Sequence, residues 1–206
     1  MSEISEKDIH DIVTRVVRQT LGAYSTLPSH PSPLPESPKP AQEQPAAIEK
    51  KNNKIAIGTD HGGVELKNQL KNLLGSLGYE VVDCGTNTTD PVDYPDIALA
   101  VATQVAEGKV WRGVIIDGAG IGSCMAANKV PGVRAALCYD YATAVNSREH
   151  NNANVLTLGA GLIGVNLAKQ ILTTWLATNF SGGRHATRVD KIMAIEAKYL
   201  KDRKAT

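Results

Sequence analysis

The stretch Val114-Ile115-Ile116-Asp117-Gly118-Ala119-Gly120-Ile121-Gly122-Ser123-Cys124 is an apolar run that ends in a carboxylate, followed by three glycines at alternate positions. A carboxylate at such a point can move a proton. A glycine loop that runs into a helix-compatible segment, here 125–129, can turn backbone N–H groups towards an anion. Two more stretches carry chemistry: Asp60-His61, and His150 within Ser147-Arg148-Glu149-His150-Asn151-Asn152. In Gly182-Gly183-Arg184-His185-Ala186-Thr187-Arg188 the two arginines stand four apart, on one face if the last helix begins there. Paired guanidiniums suit a phosphate, although the same pattern also describes a solvated helix start. His10, His30 and His185 have no comparable surroundings.

Gly118-x-Gly120-x-Gly122, with Asp140 further on, invites a dinucleotide reading. The spacing is GxGxG rather than GxGxxG, and the motif follows the third strand rather than the first, which speaks against that reading. A purely structural glycine turn would not need Asp117 at the strand end.

These residues need a frame. Residues 54–58 read as a strand, leading into Thr59-Asp60-His61-Gly62-Gly63 and a helix with Val64, Leu66, Leu70, Leu73, Leu74 and Leu77 apolar, stopped by Gly78. Strands follow at 79–83, 113–117, 133–138 and 155–158. Helices are expected at about 97–107, 141–150, 162–177 and 189–201. Strands that alternate with helical segments predict parallel βαβ units with right-handed crossovers. The expected fold is α/β: a Rossmann-like, three-layer αβα domain with a five-stranded, doubly wound parallel sheet. In such sheets ligands sit at the carboxyl ends of the strands. Asp60-His61, Asp117 with its loop, and the segment around His150 are all expected on that edge.

Composition excludes several classes. With 22 basic and 21 acidic residues, no global field argues for nucleic acid or a membrane. Cys84, Cys124 and Cys138 are odd in number and lack metal-ligand spacing, which fits a reducing cytosol. No apolar run approaches the roughly 20 residues that span a bilayer, and the start lacks a secretory pattern. In a helix expected over residues 4–21, Ile9, Ile12, Val13, Val16, Val17 and Leu21 share one stripe, Ser5 and Asp8 resemble a capping box, and Gly22 is a stop. Such a helix is too short to stand alone in water and must dock on something, its own domain being the plainest choice. Seven of the ten prolines follow between Ser25 and Lys51, the composition of a semi-extended linker. The organisation is thus a helix in 1–23, a linker in 24–53 and a folded domain in 54–206. The first two segments resemble the encapsulation peptides that direct cargo enzymes into bacterial microcompartments, which implies a shell protein as partner for 4–21 and a compartment lumen as location.

Asp60-His61, Asp93-Tyr94-Pro95, Gly118-x-Gly120-x-Gly122, Ala126-Ala127-Asn128-Lys129, His150-Asn151, Asn154-Val155 and Gly182-Gly183-Arg184-His185 together resemble the ribose-5-phosphate isomerase B family, which includes the galactose-6-phosphate isomerase subunits. The match runs in order through residues 54–206. It implies an aldose–ketose isomerase with no metal or organic cofactor, acting on a phosphorylated sugar, as a homodimer or homotetramer with its site at a subunit interface. It implies that His150 opens the sugar ring and Asp60 holds hydroxyls, while His61, Arg184 and Arg188 contact the phosphate. The backbone of Gly118, Ala119, Gly120 and Gly122 would stabilise an enediolate oxygen, and Tyr94 and Asn151 would line the pocket.

The chain departs from the family pattern. Many members have a cysteine base where this chain has Asp117 and a hydroxyl residue in place of Ala119. Others place a glutamate at the position of Ser123, and an arginine often stands at that of Gly161. A carboxylate can perform the proton transfer, which makes Asp117 the expected base and Cys124 the alternative. The expected reaction is ribose 5-phosphate to ribulose 5-phosphate through a cis-enediolate. Other sugar phosphates of four or six carbons, or a non-catalytic cargo relative, are the alternatives.

Overall fold

The computed structural model describes residues 6–22 and 52–203. Contacts divide the chain into two units, Met1–Pro45 and Ala46–Thr206. In the first, α1 (Glu6–Gly22) is helical as its periodicity predicts. Ile9, Ile12, Val13, Val16 and Val17 form its exposed stripe, each 47–54% accessible. Ser5 and the proline-rich stretch 23–51 lie outside the described residues.

The second unit runs β1 (Lys54–Thr59), a 3-10 turn (His61–Gly63), α2 (Val64–Ser76), β2 (Glu80–Asp83), α3 (Tyr94–Ala106), β3 (Arg112–Asp117) and α4 (Ile121–Ala127). It continues through β4 (Ala135–Leu137), α5 (Tyr141–Glu149), β5 (Val155–Gly159), α6 (Val165–Ala177) and α7 (Arg184–Arg203). All strand pairs are parallel, in the order β2-β1-β3-β5-β4. Strand residues alternate between faces. Val114 and Ile116 pack with Leu70, Ile171 and Trp175 from α2 and α6. Ile115 packs on the other face with Val101, Ala102 and Ala127 from α3 and α4. Three layers result.

Several boundaries differ from the expected ones. α3 begins at Tyr94 rather than 97, because extended Asp93 precedes it and Pro95 sits in the first turn, where its missing N–H costs nothing. α7 begins at Arg184 rather than 189, since Gly182 and Gly183, at φ 63° and 53°, end the preceding segment there. α6 starts only after Gly164, and β4 is reduced to three residues.

The sheet order reverses between β1 and β3, the switch point where doubly wound sheets bind ligands. Asp60 and Asp117 stand at the carboxyl ends of these two strands, and Asp60 N–H bonds the Ile116 carbonyl at 3.2 Å.

Candidate active site

The structure separates the predicted site residues into two groups. On the carboxyl edge lie Asp60, His61, Tyr94, Asp117 and the glycine loop. Asp60 caps the 3-10 turn by accepting the Gly62 N–H at 3.0 Å. The Nδ1 of His61 accepts the Val92 N–H at 3.5 Å. Tyr94 packs against the loop: a Cβ on Gly122 would stand 2.5 Å from its ring. Tyr139, which carries no motif signal, donates its hydroxyl to the Ala119 carbonyl at 2.8 Å.

His150, Asn151, Arg184 and Arg188 lie on the opposite edge, which corrects the expectation that all three stretches share one. Each helix runs back from a strand's carboxyl end, so the last residues of α5 and the residues before β5 reach the amino edge. His150 is the C-cap of α5, and the Asn154 carbonyl accepts the N–H of Gly113, at the start of β3. From Gly113 to Asp117 the strand climbs four residues, about 13 Å at roughly 3.3 Å per residue. The predicted site residues of one chain therefore form two clusters, one at each edge of the sheet.

In the first, Asp117 is only 4% exposed. Its Oδ1 accepts the N–H groups of Ala119, at 2.8 Å, and of Gly120, and its Oδ2 accepts that of Ser123 at 3.0 Å. Gly120 makes this possible, with φ at 77° and Leu137 Cδ1 only 2.5 Å from where a Cβ would be. The amides of Ala119 and Gly120, expected to cradle an enediolate, are thus turned onto the carboxylate beside them. The N–H groups of Ile121 and Gly122, in the first turn of α4, have no intrahelical acceptor by position. Oδ1 is filled by two donors, while Oδ2 takes one and retains a lone pair. Cys124 faces elsewhere: its Sγ donates to the Ala135 carbonyl at 3.4 Å. Burial pushes this thiol up, with the Asp117 charge adding to the rise, so it stays protonated at neutral pH.

In the second cluster the rings of His150 and His185 are stacked, 4.1 Å between centroids and 1° between planes. The Asn146 amide donates to His150 Nδ1 at 2.8 Å, which leaves the proton of a neutral His150 on Nε2. Asn151 in turn donates to the Asn146 Oδ1 at 3.1 Å. Asn146 was missed in the sequence, although its i, i+4 spacing to His150 on one helix face is a usable signal. His185 also gains a role that its spacing did not suggest. It is 9% exposed, and burial, reinforced by the charges of His150, Arg184 and Arg188, lowers its pKa. It accepts from the Arg184 Nε at 3.4 Å. Arg184 and Arg188 are exposed on the first turns of α7. Among the described residues no group of three His, Cys, Asp or Glu is placed to hold a metal ion, and no helix is long and apolar enough to cross a membrane.

A carboxylate fixed at the switch point of a Rossmann-like sheet, and a histidine–arginine cluster at the other edge, have the chemistry of a class of protein that can move protons on a small anionic substrate. Residues 55–192 match the model of the ribose/galactose isomerase family. Ribose-5-phosphate isomerase B of Escherichia coli is 46% identical over 143 residues, which cover 69% of this chain and 96% of that protein. The D-erythrulose-4-phosphate isomerase of Pectobacterium atrosepticum is 44% identical over 140 residues, 67% of this chain and 91% of that protein. Among solved structures, ribose-5-phosphate isomerase B of Clostridium thermocellum superposes with a TM-score of 0.70 at 53% identity, covering 71% of this chain and 99% of that one. The chain belongs to the ribose/galactose isomerase family and is a sugar-phosphate isomerase.

Proposed function

We propose that this enzyme interconverts an aldose phosphate and its ketose phosphate through a cis-enediolate, with ribose 5-phosphate and ribulose 5-phosphate as the pair. The observation that carries the reading is the free lone pair of Asp117 Oδ2 on an otherwise immobilised carboxylate. Oδ2 takes the proton from C2 of the open-chain aldose and returns it to C1, while the hydroxyl proton passes between O2 and O1. Ile121 and Gly122 N–H groups supply hydrogen bonds to the enediolate oxygen. His150 opens the ring at Nε2: this N–H gives its proton to the ring oxygen, and the vacated nitrogen takes the proton of the anomeric hydroxyl. Asp60 and Tyr94 orient hydroxyls, and His61, Arg184 and Arg188 hold the phosphate.

The two clusters of one chain face opposite edges, so we place each complete site between two chains of a homodimer. The amino-edge residues of one chain then meet the carboxyl edge of the other. Support comes from a groove of about 1190 Å³ along edge strand β4, α5 and α7, with Ile192, Ile195, Tyr199 and Leu200 exposed at its wall. A second copy of the chain is its occupant. We also infer that α1 is the docking tag for a microcompartment shell protein, which its exposed apolar stripe supports. Removing residues 1–23 should leave turnover intact and abolish co-sedimentation with shells.

A coupled assay over four-, five- and six-carbon sugar phosphates in deuterium oxide tests the reaction. Turnover of ribose 5-phosphate with solvent deuterium in the product supports it. Turnover with full retention of the substrate hydrogen points to hydride transfer instead, and a preference for erythrulose 4-phosphate would move the substrate, not the chemistry, to that of the Pectobacterium relative.

A further inference from the structure

We propose that Arg148, a residue that faces no substrate, is the positioning residue for His150 and thereby sets the rate of ring opening. This rests on the reading of His150 as the ring-opening group. Arg148 lies in the last turn of α5, 6% exposed, two residues before His150. Its guanidinium reaches both segments that carry the cluster. Nε donates to the Thr178 carbonyl at 3.3 Å, at the end of α6 and ahead of Arg184 and His185. Nη1 donates to the Asn152 Oδ1 at 3.0 Å and to the Ala153 carbonyl, on the turn that follows His150 and Asn151.

That turn needs holding. Asn152 has φ at 47°, the left-handed region that a side chain rarely adopts unaided. The planar fork of an arginine matches these spread acceptors; an ammonium would satisfy fewer of them. Among the described residues no carboxylate pairs with Arg148, and the face of Trp175 lies 5.7 Å from its Cζ. A buried cation without an ion partner costs desolvation. Its hydrogen bonds go to the two segments that must be kept in register for the histidines to stack. Two further bonds tie the same seam: the Ser181 N–H and hydroxyl both donate to the Glu149 carbonyl, at 3.0 and 2.8 Å. Arg148 therefore controls where the His150 ring stands while having no contact of its own with Asp117.

The consequence is selective. Ribose 5-phosphate is mostly a closed ring and needs opening, whereas ribulose 5-phosphate cannot close onto its phosphorylated C5 oxygen. Exchange of the C1 hydrogen of ribulose 5-phosphate with deuterium oxide reads proton transfer at Asp117 alone. Arg148→Lys, which keeps the charge and part of the bonding, should lower kcat for ribose 5-phosphate by about a hundredfold with KM nearly unchanged. The C1 exchange rate should change by less than about twofold. Asn152→Gly keeps the left-handed turn but deletes the Oδ1 acceptor, and should move the same two rates in the same sense, less far, with the melting temperature held. If both rates fall together in these variants, or neither falls, the positioning role is overturned. His150→Asn separates the two readings: if it slows C1 exchange as much as turnover, the assignment of His150 to ring opening fails, whatever Arg148 does.

Discussion

The imidazoles of His150 and His185 lie parallel at 4.1 Å, and the buried member of the pair, His185, has its pKa lowered. A neutral His185 can accept the Arg184 Nε–H and stack on its neighbour; a protonated one can do neither well. Its folded pKa lies below the unfolded value of about 6.5, so the unfolded chain binds more protons as pH falls through that value. Stability is therefore lost as pH drops from 7 towards 5. His185→Phe keeps an aromatic ring but cannot titrate, and urea unfolding at pH 5 and pH 7 should show a smaller difference for the variant than for the parent.

Lys67 is a buried cation near the carboxyl edge of the sheet. Its side chain is fully buried, and its ammonium donates to Asp83 Oδ1 at 2.8 Å, the Thr86 carbonyl at 2.7 Å and Asn87 Oδ1 at 2.8 Å. The loop so anchored bonds Thr59 at the end of β1, next to Asp60. Lys67→Met should cost about 3 kcal/mol in urea unfolding. Burial raises the Asp83 pKa, but hydrogen bonds from Lys67, Lys71 and the Gly85 N–H outweigh it and hold it below the usual carboxylate value. The stability from this cluster is complete above the unfolded pKa of about 3.9 and is lost as pH falls through the lower folded one. Asp83→Asn should flatten that acid limb.

Gly120→Ala should both destabilise the fold and slow turnover. An alanine at φ 77° is strained by about 1–2 kcal/mol, and its Cβ would meet Leu137 and the Leu158 carbonyl carbon at 2.5 and 2.9 Å. The loop must move, and with it the Gly120 N–H that holds Asp117. Loss of kcat beyond the loss of folded protein, measured by active-site titration, checks this.

The sheet, its strands and the acid at its switch point were legible in the sequence because each rests on local pattern: apolar runs, helix stops and a carboxylate at a strand end. The separation of His150 from Asp117 was not read, although the alternation of strand and helix implies it. A residue that follows a helix and precedes a strand belongs to the amino edge, and chemical type alone does not say which edge it occupies. The self-capping of Asp117 was illegible for a different reason. Glycine loops advertise free N–H groups, but whether a nearby side chain takes them depends on the turn at Gly120, which no local residue pattern specifies. Asn146 and Arg148 stayed hidden because polar residues in a helix look alike until their partners from elsewhere in the chain are known.

Ile195, 60% exposed on α7 at the groove wall, should govern assembly. Ile195→Glu would bury a charge in a pairing of two copies and should give monomers in sedimentation, with helical content kept and activity lost.

Complementation between chains tests the composite site most directly. Asp117→Asn and His150→Asn chains, each nearly inactive alone, are mixed, unfolded and refolded together. If each site takes Asp117 from one chain and His150 from the other, half of the dimers are mixed and each carries one intact site, so about a quarter of parental turnover returns. If both residues serve a site within one chain, every mixed dimer has two damaged sites and no activity returns.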